Sequence, residues 1–218
     1  MMSDEFELSL RLQGLPPVID GSSRILVLGS MPGMQSLVKQ EYYGNPRNHF
    51  WRLLYAVWGE GVSDKGAGQA GGEAEQLPQG APSVQETGTS RPLAGAGSAG
   101  SAYPVPSADY KERLRFALEH GVGLWDVLAA CEREGSLDAD IRKPEVNDFA
   151  ALLRSFPTVE RIWFNGQAAA QLFRRQVLPA LAAQGLDRSV QLGVLPSSSP
   201  ARTLSFEAKL EAWRQIRS

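Results

Sequence analysis

A short apolar run stands near the start of the chain: Arg24-Ile25-Leu26-Val27-Leu28, closed by Gly29-Ser30. Two later runs have the same form, Arg161-Ile162-Trp163-Phe164 before Asn165-Gly166 and Val190-Gln191-Leu192-Gly193-Val194-Leu195 before Pro196. Short apolar runs that end in turn residues are typical of buried strands. Because helical patterns separate these runs, we predict an α/β fold with a largely parallel sheet covered by helices.

The segments between the strands supply the predicted helices. They run from Pro46 to Trp58, from Tyr110 to His120, onward from a cap at Asn147-Asp148, and from Gly166 to about Leu181. A last helix carries Phe206, Leu210, Trp213 and Ile216 at helical spacing. The run Val122-Gly123-Leu124-Trp125 is compatible with a strand or a loop.

Residues 59–108 differ from the rest in composition. They hold 11 of the 22 glycines and five of the prolines, with five acidic and two basic residues. Their sparse apolar residues show no period, so they cannot bury enough surface to offset the entropy of ordering. We interpret them as a disordered insertion within one domain that spans residues 1–218. A regulatory or partner-docking loop is the alternative, but nothing in the sequence supports it.

Composition excludes several classes of protein. A single cysteine, Cys131, permits no internal disulfide and no cysteine-based metal centre, and two histidines are too few for a convincing metal site. We therefore expect no metal and no cofactor. The acidic N-terminus carries no secretory signal and no apolar stretch could span a membrane, so we expect a cytoplasmic monomer. The net charge of −2 still leaves room for one basic face that binds DNA.

Polar and small residues follow each of the three strands. They form the segments Gly29-Ser30-Met31-Pro32-Gly33, Asn165-Gly166-Gln167 and Pro196-Ser197-Ser198-Ser199-Pro200-Ala201-Arg202. Taken singly, each is more typical of a plain turn or a solvated loop. Parallel strands bring their carboxyl ends to one edge of a sheet, where ligands bind. Together these segments offer backbone N–H groups, hydroxyls, an amide and a guanidinium, which suit a phosphate backbone and a polar planar base.

Asn48 has two interpretations. Asn45 is a good N-cap and Pro46 suits the first helical position, which would place Asn48 in the first turn. Its amide could return to the backbone of Asn45 as part of a capping box. It could instead be an active-site amide at the positive end of a helix dipole. Spacing alone favours the capping role.

Three motifs in this order resemble the uracil-DNA glycosylase superfamily, above all its hypoxanthine-DNA (deoxyinosine) glycosylase branch. They are Gly29-Ser30-Met31-Pro32-Gly33, Tyr42-Tyr43-Gly44-Asn45-Pro46-Arg47-Asn48-His49-Phe50-Trp51 and Leu195-Pro196-Ser197-Ser198-Ser199-Pro200-Ala201. The segments around Gly121–Leu128 and Gly135–Ile141 are similar to that branch as well. The resemblance implies a three-layer α/β/α sandwich that removes a deaminated base, hypoxanthine first, flipped out of DNA.

The resemblance also implies roles for individual residues. Asn48 corresponds to an asparagine implicated in catalysis, which reverses the preference for a capping role, and Tyr43 to an aromatic residue that stacks on the flipped base. Substrate contacts are expected from Gly29, Ser30, Met31, Pro32, Tyr43 and Asn165. Contacts with DNA are expected from Ser197, Ser198, Ser199 and Arg202.

Met31 departs from the superfamily pattern. Many members carry Asp or Asn before the proline of the first motif to handle the attacking water, and the hypoxanthine branch lacks that polar residue. Two alternatives therefore remain open, a mismatch uracil glycosylase and a catalytically inactive DNA-binding module. A nucleotide-binding sheet is disfavoured because no glycine-rich phosphate loop follows the first strand. Asp138 or Asp140 is an alternative source of a carboxylate, although we expect both to be solvated loop acids.

Overall fold

The computed structural model describes residues 11–59, 103–187 and 190–218. In chain order the strands are β1 (Arg11–Gln13), β2 (Ile25–Gly29), β3 (Val122–Asp126), β4 (Leu128–Glu132), β5 (Arg142–Val146), β6 (Arg161–Asn165) and β7 (Gln191–Leu195). The α-helices are α1 (Met34–Lys39), α2 (Phe50–Gly59), α3 (Tyr110–Glu119), α4 (Phe149–Ser155), α5 (Gln167–Leu172), α6 (Leu178–Ala182) and α7 (Phe206–Trp213). Most of the predicted insertion, residues 60–102, lies outside the described residues.

A parallel sheet of four strands, in the order β3-β2-β6-β7, forms the centre of the molecule. Ile25, Leu26, Val27 and Leu28 are at most 4% exposed, so both faces of β2 are covered. A parallel strand buried on both faces reads as a continuous apolar run rather than an alternating one, which is why it was visible in the sequence. The predicted α/β sandwich is confirmed, and the run at residues 122–125 is a strand.

A second, antiparallel sheet in the order β1-β4-β5 was not predicted. Its central strand, β4, is separated from β3 by Val127 alone. The end of β2 and the residue after it accept two hydrogen bonds here, from Val127 N–H to Gly29 O (2.9 Å) and from Leu128 N–H to Ser30 O (3.0 Å). Short strands with mixed polar residues give no clear period-2 signal. This sheet therefore supports the carboxyl edge of β2 from one side.

The helix boundaries follow local capping. Asp148 accepts a hydrogen bond from Ala151 N–H (2.9 Å) at the start of α4, which confirms the predicted cap. The predicted helix after residue 166 is present, although a π-helical turn at Phe173–Val177 separates α5 from α6. Pro179, which has no N–H to donate, lies in the first turn of α6, and such an interruption is expected beside it. The core positions predicted for α7 and the 3-10 turn after it are all buried.

The predicted start of α2 at Pro46 was wrong, because the helix begins at Phe50. Two consecutive turns occupy residues 45–50 instead. The Asn45 side chain accepts a hydrogen bond from Arg47 N–H, and that of Asn48 accepts one from Phe50 N–H, both at 2.9 Å. Asparagine side chains commonly bond their own backbone two residues further on, and this competes with helix formation. Asn48 thus lies before the helix, not in its first turn.

Among the described residues, no helix combines the length and the apolar character needed to cross a membrane.

Candidate active site

A cavity of about 550 Å³ opens at the carboxyl edge of the parallel sheet. Its volume is within the range of small-molecule sites. The residues predicted from sequence that line it are Gly29, Ser30, Met31, Pro32, Tyr43, Asn48, Asn165, Ser197, Ser198 and Ser199. Asp126, Ser136 and Asp138 line it as well. The structure therefore brings together all the predicted site residues except Arg202, which is exposed and absent from the lining.

Three strand ends form what we call the floor of the cavity: Gly29, Asp126 and Asn165. Gly29 pairs with Asp126 across β2 and β3, and Leu28 pairs with Phe164 across β2 and β6, so the three residues lie at one level of the sheet. Gly29 allows a close approach, because a Cβ atom at this position would lie 2.3 Å from Asp126 Oδ1. A side chain at residue 29 would displace the carboxyl group.

Residues 30–33, the segment after β2, are held by polar contacts with residues from beyond β4. The Ser30 hydroxyl donates to the carboxylate of Asp138, and the buried Arg133 guanidinium donates to the carbonyl oxygen of Pro32. Met31 is 6% exposed and packs in the core. Within this segment no side chain is placed to act as an acid or a base.

Tyr43 presents an aromatic ring at the cavity. Its φ of +55° lies in the left-handed region, which is uncommon for a residue with a side chain and marks a conformation imposed by its surroundings. The ring stacks on Phe50 with centroids 3.6 Å apart and an interplanar angle of 11°. One face is therefore covered by protein. Burial, followed by the nearby Asp126 carboxylate, raises the pKa of the Tyr43 hydroxyl, whereas the nearby Asn165 amide lowers it without forming a hydrogen bond of normal geometry.

The Asn48 side chain faces the same cavity from the turn before α2. Its Oδ1 atom is engaged with Phe50 N–H, whereas its amide nitrogen donates to none of the residues that the structure describes. An amide held at its oxygen and free at its nitrogen is preorganised to donate a hydrogen bond. The oxygen keeps a second lone pair that could accept one from water.

Asn165 is joined to Ser198 by a reciprocal pair of hydrogen bonds. Asn165 Nδ2 donates to Ser198 Oγ and Ser198 N–H donates to Asn165 Oδ1, both at 2.8 Å. Ser198 has no exposed surface. This corrects the expectation of a phosphate contact by its side chain, because a hydroxyl buried in this way cannot reach DNA. Asn165 retains one amide hydrogen for a base in the cavity.

The segment from Pro196 to Arg202, here called the serine loop, is held from α7. Lys209 has no exposed surface and donates from Nζ to Ser199 O (3.0 Å), and Trp213 Nε1 donates to Pro196 O (2.9 Å). Burial lowers the pKa of Lys209, and the neighbouring Arg202 lowers it further. Sequence reasoning assigned α7 to the core and missed the lysine, because a buried cation inside an apolar helix face gives no local signal.

His49 connects the start of α2 to the serine loop through its backbone, which donates to Ser198 O (3.0 Å). Its imidazole packs edge-on to Phe206, with centroids 5.6 Å apart. Burial lowers the pKa of His49, and the adjacent Lys209 and Arg52 lower it further, so the ring is neutral at neutral pH. Neither a metal nor an acid function is supported at this position.

The acidic residues of the site separate into two groups. Asp138 lines the cavity through its contact with Ser30, whereas Asp140 points to a different surface beside Arg142. Asp126, the last residue of β3, is 4% exposed, and its Oδ2 atom has no hydrogen-bond partner among the described residues. Burial raises the pKa of Asp126 to about 7, although Arg133 lowers it.

Sequence reasoning quoted Asp126 within a motif but assigned it no role. The sequence did contain a signal for it, because Asp126 ends the apolar run at residues 122–125. In the structure this strand ends at the same sheet edge as β2. Among the described residues, no three acidic, histidine or cysteine side chains are placed to hold a metal ion.

Comparisons with known proteins agree with this geometry. A family model for the uracil DNA glycosylase superfamily matches residues 16–217. Two proteins named hypoxanthine DNA glycosylase are each 30% identical to the chain over 94% of its length: one from Methanosarcina barkeri, covered over 98% of its length, and one from Methanosarcina acetivorans, covered over 96%. A solution NMR structure from Methanosarcina acetivorans, with a provisional uracil DNA glycosylase assignment, superposes with a TM-score of 0.60 at 30% identity, covering 95% of this chain and 99% of its own. The chain belongs to the uracil DNA glycosylase superfamily.

Proposed function

We propose that this DNA glycosylase hydrolyses the N-glycosidic bond of hypoxanthine in DNA and leaves the sugar–phosphate backbone intact. The observation that carries the proposal is the cavity at the sheet edge, in which the Asn48 amide and the Tyr43 ring face the floor and Met31 replaces a polar residue. Its two relatives named hypoxanthine DNA glycosylase support the choice of base.

The target base must leave the duplex before it can enter the cavity. Inosine in a mismatch is held less firmly than a normal base, so extrusion costs less and contributes to selectivity. The Tyr43 ring has one face stacked on Phe50. Its opposite face would stack on the flipped base, while the free amide hydrogen of Asn165 would bond a polar edge of that base.

Cleavage develops positive charge on the sugar and negative charge on the departing base. Donors that are fixed in advance stabilise such charge without reorganising during the reaction. The free amide nitrogen of Asn48 and the backbone N–H groups of residues 30–33 are the candidates. The second lone pair of Asn48 Oδ1 would orient the attacking water, although an amide cannot remove its proton.

The exposed groups of the serine loop would hold the DNA. Ser197, Ser199 and Arg202 would contact phosphates, while the buried Ser198 fixes the loop to the floor. Lys209, beneath Ser199, adds a positive charge under the path of the backbone. A chain with a net charge of −2 can bind DNA through such a local basic region.

The proposal is tested by single-turnover assays on duplexes that contain deoxyinosine, deoxyuridine or deoxyxanthosine at one position. We expect deoxyinosine to be cleaved fastest and the product to be an abasic site that breaks only after alkali. A faster reaction with deoxyuridine would assign mismatch uracil removal instead. Binding of all three duplexes without base release would identify an inactive DNA-binding module, the alternative that Met31 leaves open.

A further inference from the structure

We propose that Asp126 is a catalytic acid that gives its proton to N7 of the flipped purine, an assignment that rests on the proposed function. The carboxyl group lines the cavity from the end of β3, and it is 4% exposed. Its Oδ2 atom has no hydrogen-bond partner among the described residues. Buried polar atoms are almost always paired, so an unpaired one beside a ligand cavity indicates that a ligand completes the pairing.

The backbone is shaped to admit this carboxyl group. Gly29 is the register partner of Asp126 on β2. A Cβ atom at Gly29 would lie 2.3 Å from Asp126 Oδ1, so the absence of a side chain leaves room for the carboxyl group. The same Cβ would lie 3.9 Å from the Tyr43 hydroxyl, so the carboxyl group and the phenol converge on one point of the floor. Asp126 Oδ2 lacks a protein partner in the described part of the chain, whereas the Tyr43 hydroxyl lies near the Asn165 amide.

The groups around Asp126 favour its protonated form. Burial is the largest influence and raises its pKa to about 7. Asp138, from a 3-10 turn at Asp138–Asp140, raises it further, whereas Arg133, beyond the end of β4, lowers it without forming an ion pair with Asp126. Tyr42 and Tyr43 face it from the loop before α2 as neutral phenols. The protonated carboxyl group is therefore available near neutral pH.

A purine offers a basic ring nitrogen for this proton, and uracil bound through N1 does not. Hypoxanthine bound to the sugar through N9 keeps N7 as a second, basic ring nitrogen, and a proton there allows the base to leave neutral. The Asp126 O–H bond breaks as N7–H forms, and the electron pair of the C1′–N9 bond stays with the base. Water then adds to the sugar cation at C1′ and loses its proton to solvent. The Asp126 carboxylate takes up a new proton before the next turnover.

The test is a pH profile of single-turnover cleavage with duplexes that contain deoxyinosine, for the wild type and for Asp126→Asn. The wild-type rate should fall as pH rises through about 7, because the acid form disappears. Asp126→Asn should be slower by about 10²- to 10⁴-fold on the acid side, with a flat profile. Asp140→Asn is the matched control and should keep both rate and profile, since its carboxylate does not line the cavity.

A second measurement needs no variant. The wild type should cleave 7-deaza-2′-deoxyinosine as slowly as Asp126→Asn cleaves deoxyinosine. Asp126→Asn should cleave the 7-deaza substrate at nearly the same rate as it cleaves deoxyinosine. Melting curves and DNA affinity of Asp126→Asn separate misfolding from lost chemistry. Full wild-type activity on the 7-deaza substrate, or a rate that does not fall with pH, overturns the assignment while leaving the proposed function intact. A wild type that releases uracil but not hypoxanthine overturns both.

Discussion

The floor of the cavity and the serine loop are built by different means. Backbone pairing within the parallel sheet sets the level of Gly29, Asp126 and Asn165. The serine loop instead depends on side-chain hydrogen bonds from Asn165, Lys209 and Trp213. Because of this difference, we expect substitutions at the floor and beside it to change the rate of base release. Substitutions in the serine loop should instead change DNA affinity and local stability.

Apart from Asp126→Asn, the largest effect on rate is expected from Asn48→Ala, beside the floor. Losing its turn bond to Phe50 should lower the free energy of unfolding by about 0.5–2 kcal/mol. Losing one preorganised polar group should lower the rate of base release by about 10²- to 10³-fold. Single-turnover cleavage and melting curves measure both. Asn45→Ala removes the equivalent bond to Arg47 and should cost similar stability with little loss of rate. Equal rate losses in the two variants would reduce Asn48 to a turn residue.

Ser198→Ala tests the connection between the two regions. Without the hydroxyl, the half-buried Asn165 Nδ2 loses its acceptor, and the loss of one such hydrogen bond costs about 0.5–1.5 kcal/mol. We expect Tm to fall by several degrees and DNA affinity to weaken more than the single-turnover rate at saturating enzyme. Ser22→Ala is the control, since its exposed hydroxyl donates to Asp20 ahead of β2 and does not line the cavity. A rate loss without an affinity loss would mean that Asn165, not the loop, carries the effect.

Asp126→Asn should change how stability depends on pH. The pKa of this carboxyl group is about 7 in the folded chain and near 3.8 in the unfolded chain. The folded state therefore binds more protons between these values, and wild-type stability is lost as pH rises from about 4 to about 7. The Asp126→Asn variant has no ionisable group at this position. Its Tm should therefore rise relative to the wild-type Tm as the pH rises over that range. Melting curves of both proteins across this range measure the trend, and a constant difference between them would place the pKa of Asp126 near its usual value.

Arg202→Ala should act on DNA binding alone. An exposed arginine that neutralises one phosphate contributes about one unit to the slope of log affinity against log salt. We expect that slope to fall by about one for undamaged and damaged duplexes alike, with an unchanged rate for bound substrate. Arg24→Ala, at the amino end of β2 and paired with Glu160, should leave the slope unchanged. The same slope in both variants would place Arg202 off the DNA interface.

Deleting residues 62–100 should have the smallest effect. The described chain ends on either side of this segment lie close together, since a Cβ at Gly59 would be 2.2 Å from the ring of Pro104. A short linker can therefore join them, and loop length alone changes stability little. Residues 103–106 stay because Tyr103 packs against Phe206. We expect Tm within a few degrees of wild type and unchanged cleavage, and a larger loss would assign the segment a structural role.

Local patterns explain which parts of the site were predictable. Residues 25–28 and 161–164 are apolar runs that end in turn residues, and such runs predict buried strands without any knowledge of their neighbours. Parallel pairing then implies that the segments after them meet at one edge, as the cavity lining confirms. The start of α2 was mispredicted because helix capping and an asparagine turn use the same residue types, and only the backbone path distinguishes them.

The sequence by itself determined three of the four parallel strands, their polar edge and, through motif order, the superfamily, because these depend on residues close together in the chain. Only the tertiary structure decided the state of the polar groups at that edge. Ser198 became a buried partner of Asn165, and Asp126 a buried acid beside Gly29, through contacts between residues 33 and 97 positions apart. Burial and pairing set hydrogen-bond availability and pKa, and both arise from packing across the sheet rather than from neighbours in sequence.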